Sequence, residues 1–155
     1  MKIFHCDHCG QLVFFENTQC VNCGRRLAFL PDIAEIGSLD PAGYDRWQSP
    51  LEGAATEGYR LCANYTNHDV CNWALPAGDP HPLCPSCRLT RVIPDLGGAG
   101  LKESWYRLEV AKRRLVYSLQ QLSLPLADRL DDPSRGLAFE FLADTTADVA
   151  NRRPA

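Results

Sequence analysis

A small α+β fold is predicted by three features of the sequence. Short β-rich segments surround two closely spaced cysteine pairs at the front, four further cysteines fall between residues 62 and 87, and helical periodicity begins after residue 100. With 155 residues, 45% of them hydrophobic and 23% charged, the chain has room for one ordinary domain or two small ones.

The elements follow in order. Residues 2–5 and 11–15 are rich in β-formers and predict two strands, with a polar turn over 16–19 and a third strand over 25–30. A unit of 30 residues buries too little apolar surface to hold its shape unaided, so something must staple it. Residues 31–58 hold three prolines and four glycines and show no helical period. Over 31–60 there are six acidic and two basic side chains, so this stretch is expected to be an acidic, extended or irregular connector. Residues 59–98 carry four cysteines and five prolines and are expected to be loop-rich. The run Gly97-Gly98-Ala99-Gly100 reads as a hinge, because no Lys-Ser/Thr follows to make it a phosphate cradle.

From Leu101 to Leu122 the pattern is helical. Trp105, Leu108, Leu115, Leu119 and Leu122 are expected to form its buried face. Glu103 with Arg107, and Glu109 with Arg113, have the favourable i,i+4 order, and Pro125 supplies a stop. Residues 136–142 alternate as a strand with Leu137, Phe139 and Phe141 on one face. A lone strand makes no stable sheet, so residues 101–155 are expected to open an α+β domain that is truncated here.

The cysteines carry the chemistry. Cys6 and Cys9 are two residues apart, as are Cys20 and Cys23, with ten residues between the pairs. Each pair can wrap one turn so that both sulfurs meet one ion, and zinc takes four thiolates tetrahedrally. Gly10 and Gly24 follow the pairs and permit a tight left-handed turn. A second zinc is expected at Cys62, Cys71, Cys84 and Cys87. There Cys84-Pro85-Ser86-Cys87 is a knuckle with Arg88 in the glycine position, and Cys62 and Cys71 converge only if residues 63–70 loop. His68 or His81 could replace a cysteine ligand; His5 and His8 read as exposed bystanders. Disulfides, an iron centre or a redox dithiol remain open for these spacings, and free buried cysteines remain open for the second set. Four thiolates close a zinc site, so the metal is expected to be structural, and no catalytic or other cofactor-binding residue is assigned.

Other chemistries are excluded or weak. None of the four histidines is followed by Glu, so His-Glu-x-x-His is absent, and so are Gly-x-Ser-x-Gly and the Walker loop. A net charge of -3 gives no broad attraction to nucleic acid or an anionic membrane. Lys112-Arg113-Arg114 reads as a solvated helix face. Arg25 and Arg26 with Phe14 and Phe15 could stack on single strands, but hairpin core with exposed arginines explains them equally. No apolar run approaches a membrane span, and eight cysteines without a secretory signal point to the cytoplasm.

The residues also resemble a known family. Phe4-His5-Cys6-Asp7-His8-Cys9-Gly10, Cys20-Val21-Asn22-Cys23-Gly24 and Ala28-Phe29-Leu30-Pro31 carry the resemblance at the front. It continues through Cys71-Asn72-Trp73, Leu83-Cys84-Pro85-Ser86-Cys87-Arg88, Ile93-Pro94-Asp95-Leu96, Glu109 to Tyr117 and Gly136 to Leu142. These segments are similar to the N-terminal part of a bacterial family of zinc-binding metallopeptidases with a zinc-ribbon N-terminus. The resemblance implies metal-binding cysteines at these positions and a peptidase motif further along than this chain reaches. The expected function is therefore the structural zinc-ribbon region of a zinc metallopeptidase, a fragment without its catalytic motif. The alternative is a zinc-ribbon adaptor for protein, peptide or nucleic acid.

Overall fold

The structure is a computed structural model that describes residues 2–143. Strand β1 (Phe4–His5) pairs antiparallel with β2 (Leu12–Val13), Phe4 opposite Val13. The main sheet has five antiparallel strands in sequence order: β3 (Arg26–Leu30), β4 (Glu35–Pro41), β5 (Trp47–Gln48), β6 (Tyr59–Leu61) and β7 (Ala74–Pro76). Phe29 also bridges to Trp73, which precedes β7, so the two edges of the sheet meet and it curls back on itself. Closing a small sheet in this way removes edge groups that would otherwise need partners.

Two strands come from the stretch expected to be an irregular connector. Residues 36–39 of β4 are buried, and β4 lies along the whole of β3 with Phe29 opposite Ile36. A strand covered on both faces shows no alternation, which is why the pattern was silent. Gly37, which looked like a loop residue, is a packing device: a Cβ there would come within 2.7 Å of the Ser49 Oγ and 2.8 Å of a Leu30 methyl.

Helix α1 (Ala63–Thr66) sits in the connection between β6 and β7, and a 3-10 turn (Cys87–Leu89) leads into β8 (Thr90–Val92). Helix α2 (Leu101–Gln121) follows Gly100, whose φ of 74° supplies the left-handed turn at the helix entry. Strand β9 (Phe139–Glu140) pairs parallel with β8, so the last strand finds its partner in the second cysteine region.

The core is aromatic. Phe4, Phe15, Phe29, Trp73 and Tyr117 form one cluster, with ring centroids from 4.6 Å (Phe29 to Trp73) to 6.5 Å (Phe4 to Phe29). Tyr117 brings α2 into it at 5.2 Å from Phe15 and 5.7 Å from Phe29. Tilted and edge-on geometry suits the ring quadrupoles.

The face that α2 buries is not the leucine face expected. Leu108 and Leu115 are 46% exposed and Leu122 is 68% exposed. Trp105 is buried as expected, but Glu109, Lys112, Arg113, Val116 and Tyr117 share its face in place of those leucines. Lys112 and Arg113, read as solvated, are inside because each has a partner there. Lys112 Nζ lies 2.8 Å from Glu109, donates to the Thr90 hydroxyl on β8, and sits over the rings of Phe139 and Phe141. Arg113 donates to the Val70 carbonyl. Glu109 thus pairs with Lys112 rather than with the expected Arg113. Buried charge survives only when paired and hydrogen-bonded, and hydropathy does not register such pairing.

Candidate metal centres

The first centre is built by two matching knuckles. Gly10 N–H donates to the Cys6 carbonyl at 2.8 Å, and Gly24 N–H donates to the Cys20 carbonyl at 2.9 Å. Both glycines have positive φ, 72° and 73°, which a side chain would strain. Each knuckle is then tied by its first cysteine, whose N–H donates to Gln11 O at 2.8 Å in one and to Arg25 O at 2.9 Å in the other. The hairpin of β1 and β2 and the entry to β3 face the knuckles toward each other. Cys6 Sγ lies 3.7 Å from Cys23 Sγ, and Cys9 Sγ lies 3.6 Å from Cys20 Sγ.

The second centre has a different construction. Cys62 leaves β6 and caps α1, and Cys71 returns just before β7, so the short helix closes the loop between them. Cys62 N–H donates to Trp73 O at 3.1 Å, which holds the two arms together. Cys84 and Cys87 form the knuckle. Arg88 N–H donates to Cys84 O at 3.0 Å, but the chain then turns right-handed into the 3-10 turn, so no glycine is needed. Three amides aim at sulfur: Cys84 N–H at Cys62 Sγ (3.3 Å), Cys87 N–H at Cys84 Sγ (3.4 Å) and Trp73 N–H at Cys71 Sγ (3.4 Å). Such donors favour the thiolate over the thiol.

In each foursome all sulfurs lie within 4.8 Å of one another. All eight cysteines are free. A tetrahedron with metal–sulfur bonds of about 2.3 Å has an edge of about 3.8 Å. The contacts of 3.6 and 3.7 Å in the first set, and 3.8 Å between Cys71 and Cys84 in the second, match that edge. The two foursomes therefore fit two zinc ions. Burial pushes the Cys6 thiol up to about 12, and it pushes Cys71 and Cys84 well above the ordinary thiol range. Four thiolates at such distances need a cation among them.

Histidine takes no place in either group. His68 packs its ring edge-on against Trp105 at 5.5 Å, and His81, His5 and His8 are exposed. The aromatic-basic combination near the first knuckles does not form a stacking platform. Phe15 is in the core, Arg25 pairs with Asp40, and Arg26 lies over Trp47 at 5.0 Å and Tyr65 at 5.8 Å.

Several residues that position the centres had no role assigned from the sequence. Asp7, inside the first knuckle, accepts from the Ser38 N–H at 2.7 Å and the Ser38 hydroxyl at 2.9 Å, which fastens the knuckle to β4. Tyr65 of α1 donates to Leu27 O at 3.0 Å. Asn72, between Cys71 and Trp73, donates its side-chain amide to Phe15 O. All three are contacts between segments more than 30 residues apart, which local spacing cannot reveal.

Comparison with known proteins agrees with this geometry. Residues 3–98 match the zinc-ribbon domain family. Residues 101–152 match the family described as "Putative zinc-binding metallo-peptidase". The uncharacterized proteins Mb2598c of Mycobacterium bovis and Rv2568c of Mycobacterium tuberculosis are each 39% identical over 150 residues, 96% of this chain. The chain spans 39% of the length of these curated relatives. No solved structure matches it. Through residues 3–98 the chain belongs to the zinc-ribbon domain family, here followed by a zinc-binding metallopeptidase match that begins at α2.

Proposed function

We propose that the chain is a two-zinc structural module in which Cys6, Cys9, Cys20 and Cys23 hold one ion and Cys62, Cys71, Cys84 and Cys87 hold the other. The carrying observation is the spacing of the sulfurs at the tetrahedral edge, with only cysteine in each group. Four thiolates leave no ligand position for water, so each ion would fix loops rather than activate a nucleophile. In this reading the module holds α2, the opening of the metallopeptidase match, in a defined place. Peptidase activity would belong to the longer protein and not to residues of this chain. Eight reduced cysteines agree with work in the cytoplasm, and among the described residues no helix is long and apolar enough to cross a membrane.

Native mass spectrometry with zinc counting tests this. Two zinc ions per chain are expected, with no hydrolysis of peptides by the chain alone. One ion or none, at saturating zinc under reducing conditions, refutes the two-site reading. The adaptor alternative requires salt-sensitive retention on nucleic acid or a stable protein partner in a pull-down, and neither family match favours it over the two-zinc module.

A further inference from the structure

Helix α2 uses only one side on the ribbon. Leu101, Leu108, Leu115 and Leu122 recur every seven residues, with small Ser104 and Ala111 three positions after the first two. At 100° per residue these positions form a single stripe beside the buried Trp105–Lys112–Val116 face. Leu108, Leu115 and Leu122 remain 46%, 46% and 68% exposed. A leucine every heptad with small residues between is the pattern of a helix that receives another helix closely packed against it. A contiguous apolar stripe of this length facing water marks an interaction surface.

We infer that this stripe is a docking face for the metallopeptidase domain of which α2 is the first helix, so that α2 is shared between that domain and the ribbon. The inference rests on the two-zinc reading for the ribbon side. Two observations select the occupant. The stripe begins where the ribbon match stops and the metallopeptidase match starts, at residue 101. The curated relatives carry further chain, since the matched stretch is 39% of their length. A second copy of α2 fits less well. Arg107 flanks the free side of the stripe, and self-pairing would bring like charges together there, while Arg114 is turned to Glu16 of the ribbon. The occupant required is an amphipathic helix with an apolar seam and neutral or acidic flanks.

The test co-expresses this chain with the part of the Mycobacterium tuberculosis relative outside the 150 matched residues, so that neither has to fold unaided. A zinc-loaded complex of one copy of each is expected. Leu108→Glu with Leu115→Glu should cut its recovery by at least about tenfold. Glu103→Lys, an exposed charge reversal off the stripe, should leave it unchanged. Zinc counted in the same preparations shows whether each variant is folded and reports on the two-zinc reading separately. Three results overturn the docking face: no complex from a chain holding two zincs, a complex indifferent to both leucine substitutions, or a homodimer in light scattering that those substitutions dissociate.

Discussion

Phe29 N–H donates to the Asn72 carbonyl at 2.9 Å, and that one bond joins the strand leaving the first cysteine foursome to the residue beside a cysteine of the second. Around it, Asn72 reaches Phe15 O with its side chain, Trp73 packs on the Phe29 ring at 4.6 Å, and Tyr65 holds Leu27 O. The two centres therefore share backbone and core and do not hang as separate beads.

Removal of metal from one centre should accordingly be felt at the other. Structural zinc contributes on the order of 10 kcal/mol in small finger peptides, comparable to the whole stability of a domain. Cys20→Ser with Cys23→Ser is expected to lower the melting temperature of the entire chain by at least about 10 °C and to keep a single transition. A strong chelator should erase the near-ultraviolet circular dichroism of the aromatic cluster, in both the wild type and the variant. Two separate transitions, with the second centre melting as before, would contradict the coupling.

The buried pair of Glu109 and Lys112 makes a second prediction. Both are almost fully covered, and Lys112 joins α2 to Thr90 of β8 and Phe139 of β9. Removing one partner leaves an uncompensated charge, so Glu109→Gln or Lys112→Met alone should cost about 3–5 kcal/mol. The double change Glu109→Leu with Lys112→Met should recover most of that loss, since a well-packed apolar pair of similar volume is often neutral. Urea titration of the zinc-loaded proteins measures all three. Additive losses in the double variant would show that the charges act independently.

These results also show what the sequence could and could not convey. The knuckles were legible because two cysteines, two intervening residues and a glycine describe one local turn. The helix was legible because its period spans 21 residues. Strand β4 was not, because Ile36, Gly37, Ser38 and Leu39 are all covered and leave no alternation to read. The ribbon-facing side of α2 was not, because its charges are satisfied by Thr90 and Val70, which lie far away in the chain. The pairing of β9 with β8 closes a connection of more than 40 residues, and no local pattern encodes it.

Tyr65 offers a narrower test of the seam between the centres. Its hydroxyl donates to Leu27 O at 3.0 Å and approaches Thr18 O at 3.2 Å, and burial raises its pKa above the usual phenol value. Tyr65→Phe keeps the ring under Arg26 and removes only the donor. The expected cost is about 1–2 kcal/mol by denaturant titration, with zinc stoichiometry unchanged. No measurable cost would mean that the hydroxyl does not hold the seam.

Asp79 predicts a pH dependence with a definite sign. Burial works to raise its pKa, but the Arg88 guanidinium and the His81 N–H outweigh that and hold the carboxyl below the usual carboxylate range. A carboxylate with a lowered folded pKa stabilises the protein above its unfolded pKa of about 3.9, and that stability is lost as pH falls through the folded value. The pair is partly exposed, so its contribution should be under about 1 kcal/mol. Asp79→Asn should therefore be less stable than wild type across the range from about pH 5.5 to 8, because the unfolded carboxyl is already ionised throughout it. Urea titrations at saturating zinc at three pH values in that range measure the margin. A variant as stable as wild type at all three pH values would remove Arg88 as the partner that lowers the Asp79 pKa.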